Sequence, residues 1–147
     1  MGDWDRPSSG DWANVLASFP LFSGVGKRQL RRLAKTATIA EFAAGDEVVS
    51  KGESTDSLYV ILGGGARVPG RPAARALGVG DYFGELALID GGPRSATVIA
   101  TAELHVMKLP SRSVLQLARR HRRVTLTILR DLTAHVRRLE TQLSPAG

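Results

Sequence analysis

Residues 83–98 read FGELALIDGGPRSATV. Glu85 and Arg94 stand nine residues apart among apolar and small residues, with the turn signal Asp90-Gly91-Gly92 between them. Burying either charge alone costs several kcal/mol, so each needs a partner, which is the other charge, water or a ligand. The local pattern suggests how a ligand would be met. Gly84 permits a tight approach of the backbone, and Glu85–Leu88 is long enough for a single helical turn. Such a turn points free N–H groups, here those of Leu86 and Ala87, at an anion. Pro93 stiffens the return and delivers Arg94 beside the same turn. An arginine fork next to free amides suits a phosphate, and a carboxylate at that place suits a sugar hydroxyl that donates to it. The run therefore reads either as a site for a nucleotide with a compact phosphate or as a structural ion pair between Glu85 and Arg94.

The flanks decide the fold class. From Thr38 onward the chain is a series of short β-rich runs cut by Gly, Asp and Ser at spacings near ten. Gly45-Asp46 predicts a turn before a strand over 47–50, and 52–56 a turn before a strand over 58–62. The run Gly63-Gly64-Gly65 separates that strand from Ala66–Val68, and PGRP at 69–72 reads as a hairpin tip before a strand over 73–77. GVGDYFG (78–84) reads as a turn punctuated by glycine. Two more strands follow, over 95–100 and 103–109. Many short strands without long helices between them predict an antiparallel sandwich or barrel of the jelly-roll kind.

Helical periodicity occupies both ends. DWANVLASF predicts a helix with Asp11 as N-cap and Pro20 as its stop, and VGKRQLRRLAKTA places Leu30, Leu33 and Ala34 on one face. After the strands, Ser111 is a plausible cap for RSVLQLARRH. The last segment, Val124–Leu143, spaces Leu129, Leu132, Val136, Leu139 and Leu143 by three and four, an a/d seam of about two heptads. The seam either packs on its own barrel or joins two copies. The organisation expected is a flexible segment 1–10, one domain over 11–143 (helices 11–36, β-roll 37–110, C-terminal helices 111–143) and a tail 144–147. The fold class is α+β, a jelly-roll barrel flanked by helices.

Composition removes other classes. The absence of cysteine excludes disulfides, zinc-thiolate sites and thiol nucleophiles. The N-terminus lacks a signal-peptide pattern, and no apolar run approaches the ~20 residues of a membrane span, so a cytoplasmic protein is expected. His105, His121 and His135 show no ligand spacing, and no metal site is expected. GVGDYFG fails as a dinucleotide fingerprint because three residues, not two, separate Gly80 and Gly84. No nucleophile motif is present, and the chain is not expected to be an enzyme. Charge is uneven: residues 1–107 carry 11 Lys/Arg against 12 Asp/Glu, and residues 108–147 carry nine against two. The densest block, RRHRR at 119–123, is a solvated helix face or a contact for an anionic partner. With no aromatic residue over 108–147, base stacking has no platform there.

The stretch FGELALIDGGPRSATV resembles the phosphate-binding cassette of cyclic nucleotide-binding domains, with F-G-E-L-A-L, a short spacer and P-R-x-A-T-V. FPLFSGV, FAAGDEVVSKGESTDSLYVILGGGARV and ALGVGDYFGE resemble the segments that lead into it, so the likeness covers about residues 16 to 140. The resemblance implies that Glu85 accepts the ribose 2′-OH and Arg94 clamps the cyclic phosphate. It implies that the amides of Leu86, Ala87 and Ala96 and the Ser95 hydroxyl bind phosphate oxygens, that Gly84 opens the turn, and that Val68 and Leu86 wall the base. Ser95 follows the arginine, where threonine favours guanine in the family. Cyclic AMP (cAMP) is therefore expected ahead of cyclic GMP (cGMP). The last helix closes over the base in family members, which makes Leu139, Thr141 or Gln142 the lid candidates. A regulatory sensor module follows, free-standing given Met1 or else part of a larger regulator. Its partners would be a cyclic nucleotide and either a second copy through helix 124–143 or an effector protein, with no DNA-binding domain after Leu143. The alternative is a ligand-silent scaffold that dimerises through that helix.

Overall fold

SLYVILG at 57–63 is apolar at nearly every position, which a half-solvated strand would not tolerate. In the computed structural model, which describes residues 9–52, 56–70, 74–85 and 96–143, this strand is covered on both faces. Leu58, Val60 and Leu62 turn to a cluster shared with the helices, while Tyr59 and Ile61 turn to a second cluster between two sheets. The period of two along a strand produces this division. The same alternation recurs in Leu104–Pro110, where Met107 and Leu109 face the helices and Leu104 and Val106 face the opposite sheet.

Among the described residues there are eight strands: β1 (Thr38–Phe42), β2 (Glu47–Val49), β3 (Ser57–Gly63), β4 (Ala66–Val68), β5 (Arg75–Leu77), β6 (Tyr82–Phe83), β7 (Val98–Ala100) and β8 (Leu104–Pro110). They form two antiparallel four-stranded sheets, ordered β1-β8-β3-β6 and β2-β7-β4-β5. The two antiparallel sheets agree with the jelly-roll class expected from the strand spacing. The helices are α1 (Ser9–Ala17), α2 (Lys27–Lys35), α3 (Ser111–Arg120) and α4 (Arg122–Leu143), with a 3-10 turn over Pro20–Phe22. They cover the outer face of the first sheet, and Phe22, Leu16, Leu30 and Val114 are fully enclosed there.

Several local expectations are corrected. The first helix starts at Ser9, so Asp11 lies in its first turn instead of capping it, and it stops at Ala17, leaving Pro20 to open the 3-10 turn. Ser111 is the first residue of α3 and does not cap it. Its N–H donates to the Asp56 carbonyl at 2.7 Å, so an orphan amide of the helix start is satisfied from β3's approach without a side-chain cap. The segment read as a turn, GVGDYFG, contains β6, whose two residues are too few to show a period. It lies between Gly80 and Gly84, at φ 89° and 96°, a conformation that costs other residues about 1 kcal/mol or more.

The seam on α4 is divided. Leu132 packs against the helical core, while Leu129, Val136 and Leu139 are 51, 52 and 44% exposed. Beyond its first turns, where Val124 and Ile128 are buried, α4 offers this apolar stripe to solvent.

Candidate functional site

The two residues of β6 point opposite ways, and this places the site. Phe83 turns into the inter-sheet core and stacks on Tyr59 with ring centroids 5.0 Å apart. The Lys108 ammonium lies 5.6 Å from the Tyr59 ring centre, on the strand that pairs with it. This aromatic pair anchors the strand from which residues 84–98 depart. Tyr82 turns outward, and its hydroxyl donates to the carboxylate of Asp131 on α4. One short strand thus ties the roll interior to the C-terminal helix.

Gly84 then turns the chain at positive φ, and Glu85, which follows it, is half-buried. It borders a cleft of about 250 Å³ between the β5–β6 edge, the 3-10 turn and α4. Arg75, Asp81, Tyr82, Thr127 and Asp131 supply the polar groups of that cleft, and Pro20 and Leu21 its apolar end. Among the described residues the ion pairs are those of His105 with Glu41 and Glu103, and Glu85 has none. On the return side, the Thr97 hydroxyl oxygen accepts the Lys51 N–H at 3.0 Å, fixing the start of β7 to the β2–β3 turn. Ala96 is half-buried beside it. Val68, also half-buried, packs against the inter-sheet core, in register with Arg75.

Of the residues expected at the site, Glu85 lines this cleft and Gly84 precedes it, while Val68, which ends β4, and Ala96, which precedes β7, do not line it. Leu86, Ala87, Arg94 and Ser95 lie outside the described residues. Of the lid candidates, Leu139 and Thr141 are exposed, and the Thr141 hydroxyl donates to the Arg137 carbonyl within the helix. Gln142 falls where side chains are not described. The α4 positions that line the cleft with Glu85 are Thr127 and Asp131. Sequence reasoning missed both, as well as Tyr82 and Arg75. One signal was available, since Asp131 is one of only two acids among residues 108–147.

The charges at this junction act on one another. Burial, the hydrogen bond to Asp131 and the negative charges of Asp131 and Glu85 all push the Tyr82 hydroxyl well above the ordinary phenol range, against a weaker pull from Arg75. It therefore remains a donor throughout the physiological range. His135, one turn further along α4, is held below its ordinary 6.5 by burial first and by Arg138 second, with Arg75 adding and Glu85 opposing. Its folded form resists protonation, so between the lowered value and 6.5 the unfolded chain binds more protons and stability rises with pH. This contribution is complete above the unfolded value and is lost as pH falls through the histidine range. On acidification from pH ~7.5 to ~5.5, the wild type is expected to lose more melting temperature than His135→Gln. Parallel losses would contradict this account.

Three comparisons bear on the site. The family model described as the cyclic nucleotide-binding domain matches residues 39–121. A cyclic nucleotide-gated potassium channel of Rhizobium etli is 36% identical over 95 residues, covering 65% of this chain and 27% of the channel. A cAMP-dependent protein kinase regulatory subunit of Mycosarcoma maydis is 32% identical over 116 residues, covering 72% of this chain and 22% of the subunit. The chain thus spans about a quarter of the length of the curated relatives it matches. Among solved structures, the Thermus thermophilus catabolite activator protein superposes with a TM-score of 0.70 at 25% identity, covering 86% of this chain and 62% of that one.

Proposed function

Because the chain belongs to the cyclic nucleotide-binding domain family, we propose that it captures cAMP in the segment after β6 and acts as a regulatory sensor, not as an enzyme. The observation that carries this reading is the placement of Glu85. Gly84 turns it into a cleft walled by α4, with no ion pair among the described residues. In this reading Glu85 accepts a ribose hydroxyl, Arg94 grips the cyclic phosphate with the amides of Leu86, Ala87 and Ala96 and the Ser95 hydroxyl, and Val68 and Leu86 flank the base. Ser95 beside the arginine supports cAMP over cGMP, and a cytoplasmic location belongs to the same reading.

Signal transmission would run through β6. A ligand shifts a conformational equilibrium only by its differential affinity for the two states, and Glu85 shares its cleft with the helix that reads it. Engaging Glu85 changes the field around Tyr82 and Asp131, the hydrogen-bonded pair that fastens α4 to the roll. The exposed stripe Leu129, Val136 and Leu139 supports a second copy as partner through α4, and a dimer is compatible with sensing. The ligand-silent alternative is not favoured by a family match that spans the cassette.

Thermal melting tests the reading. At a hundredfold excess of cAMP over Kd, stability rises by about 2.7 kcal/mol. For a chain of this size that is roughly 5–10 °C in Tm. A melting temperature indifferent to both cAMP and cGMP would overturn the proposal.

A further inference from the structure

The cassette reading leaves the basic character of the helices unexplained. Helix α2 (KRQLRRLAK) and helix α3 (SRSVLQLARR) together carry eight Lys/Arg and no carboxylate. Where the two helices pack on the face away from the roll interior, they enclose a groove of about 490 Å³. Arg32 from α2 and Arg119 and Arg120 from α3 stand along it, all exposed, and among the described residues none of the three is in an ion pair. Its floor is apolar, formed by the buried side chains of Leu33 and Leu117. Between floor and rim lie neutral hydrogen-bonding groups, the amides of Gln29 and Gln116 and the hydroxyls of Thr36 and Ser113.

We infer that the α2–α3 groove, with Arg32, Arg119 and Arg120 along it, is the docking site for an extended acidic peptide segment of a partner protein. Charge complementarity selects the partner's sign. Three guanidinium forks without carboxylate neighbours are matched by carboxylates, which they engage in paired hydrogen bonds. The neutral groups select a peptide, because an extended chain carries backbone N–H and C=O groups that need partners, and amide and hydroxyl side chains supply both donors and acceptors. The leucine floor accepts the small apolar side chains that alternate with the acids.

Other anionic partners fit this surface less well. Neither helix carries an aromatic residue on which a base could stack. A membrane surface is met by exposed apolar side chains amid cations. Among the described residues the large exposed apolar side chains, Val79, Leu126, Leu129, Val136 and Leu139, lie on the β5–β6 turn and α4, with none on α2 or α3. The inference is independent of the cassette, since the groove shares no lining residue with the Glu85 cleft.

Fluorescence anisotropy of the intact chain with a labelled Glu/Ser peptide tests it, with the Gln/Ser counterpart as the uncharged control. The triple variant Arg32→Gln/Arg119→Gln/Arg120→Gln is expected to weaken binding of the acidic peptide by about tenfold or more, and each single substitution to account for part of that loss. The triple variant Arg28→Gln/Arg31→Gln/Arg112→Gln removes the same charge from positions on the same helices that do not line the groove. It is expected to change binding by less than about threefold. All six side chains are exposed, so both variants should melt close to the wild type. Equal losses from the two triples would reduce the effect to net charge and overturn the groove. Equal binding of the Gln/Ser peptide would overturn it too, as would tighter binding of labelled duplex DNA or phosphatidylserine vesicles that depends on the same three arginines.

Discussion

Arg94→Ala is expected to abolish the rise in melting temperature that cAMP produces at concentrations saturating the wild type. Removing a guanidinium from a buried charged contact costs about 2–5 kcal/mol, because the phosphate then loses its fork and keeps its desolvation penalty. In affinity that is a loss of roughly 30-fold to several thousandfold. Glu85→Ala should act in the same direction and more weakly. It removes one charge-assisted hydrogen bond to a neutral hydroxyl, worth about 1.5 kcal/mol or a little over tenfold in Kd. The order of the two effects is the informative outcome. If the phosphate grip dominates, Arg94→Ala falls furthest. If the wild-type response persists in Arg94→Ala, the phosphate is held elsewhere. Glu85→Ala leaves Tyr82 and Asp131 in place, so a loss confined to nucleotide response, with ligand-free stability nearly unchanged, locates the carboxylate at the ligand.

The second large effect concerns the roll itself. Gly64 adopts φ +85°, and a Cβ built there would lie 2.0 Å from the Glu103 carbonyl oxygen and 2.9 Å from its carbon. Both neighbours are backbone, so no side-chain rotation relieves the overlap. The turn from β3 to β4 would have to move away from the start of β8, in a stretch where the β3–β8 register already shifts between Ile61 and Gly63. Gly64→Ala is therefore expected to destabilise the protein by at least about 3 kcal/mol, combining backbone strain with steric displacement. Gly45→Ala is the matched control. Gly45 has a similar φ of +91° but open space around its missing Cβ, so only the conformational cost of about 1 kcal/mol remains. Denaturant unfolding of the two variants checks the difference. Equal midpoints would show that the Gly64–Glu103 approach carries no weight.

The layered roll was legible because its informative strands are extreme. SLYVILG is apolar without interruption, which fits only a strand covered on both sides, and the glycine clusters around it fell where the chain turns at positive φ, at Gly45, Gly52 and Gly64. The face of α2 was equally plain, since Leu30, Leu33 and Ala34 are its buried residues. What escaped was short or long-range. The strand β6 has two residues and no period to detect. The helix after β8 starts one position earlier than its expected cap implied, because the Asp56 carbonyl takes the Ser111 N–H and no capping side chain is used.

The candidate site divides the same way. A motif of contiguous residues named Gly84, Glu85 and Arg94; the first two stand at the cleft, and Arg94 lies outside the described residues. The partners from α4 could not be read, because Tyr82 and Asp131 are 49 positions apart and meet only after the roll has closed and the helix has folded back over it. The resemblance offered Leu139, Thr141 or Gln142, on the last helix, as lid candidates. In the structure α4 lines the Glu85 cleft at Thr127 and Asp131, about two to four turns earlier.

The central claim is that this chain binds a cyclic nucleotide through Glu85 and Arg94. Isothermal titration calorimetry of the intact chain against cAMP, with cGMP in parallel, tests it most directly. The account predicts saturable one-to-one heat for cAMP, weaker binding of cGMP, and no measurable heat with Arg94→Ala. Flat titrations of the folded wild type with both nucleotides would contradict it.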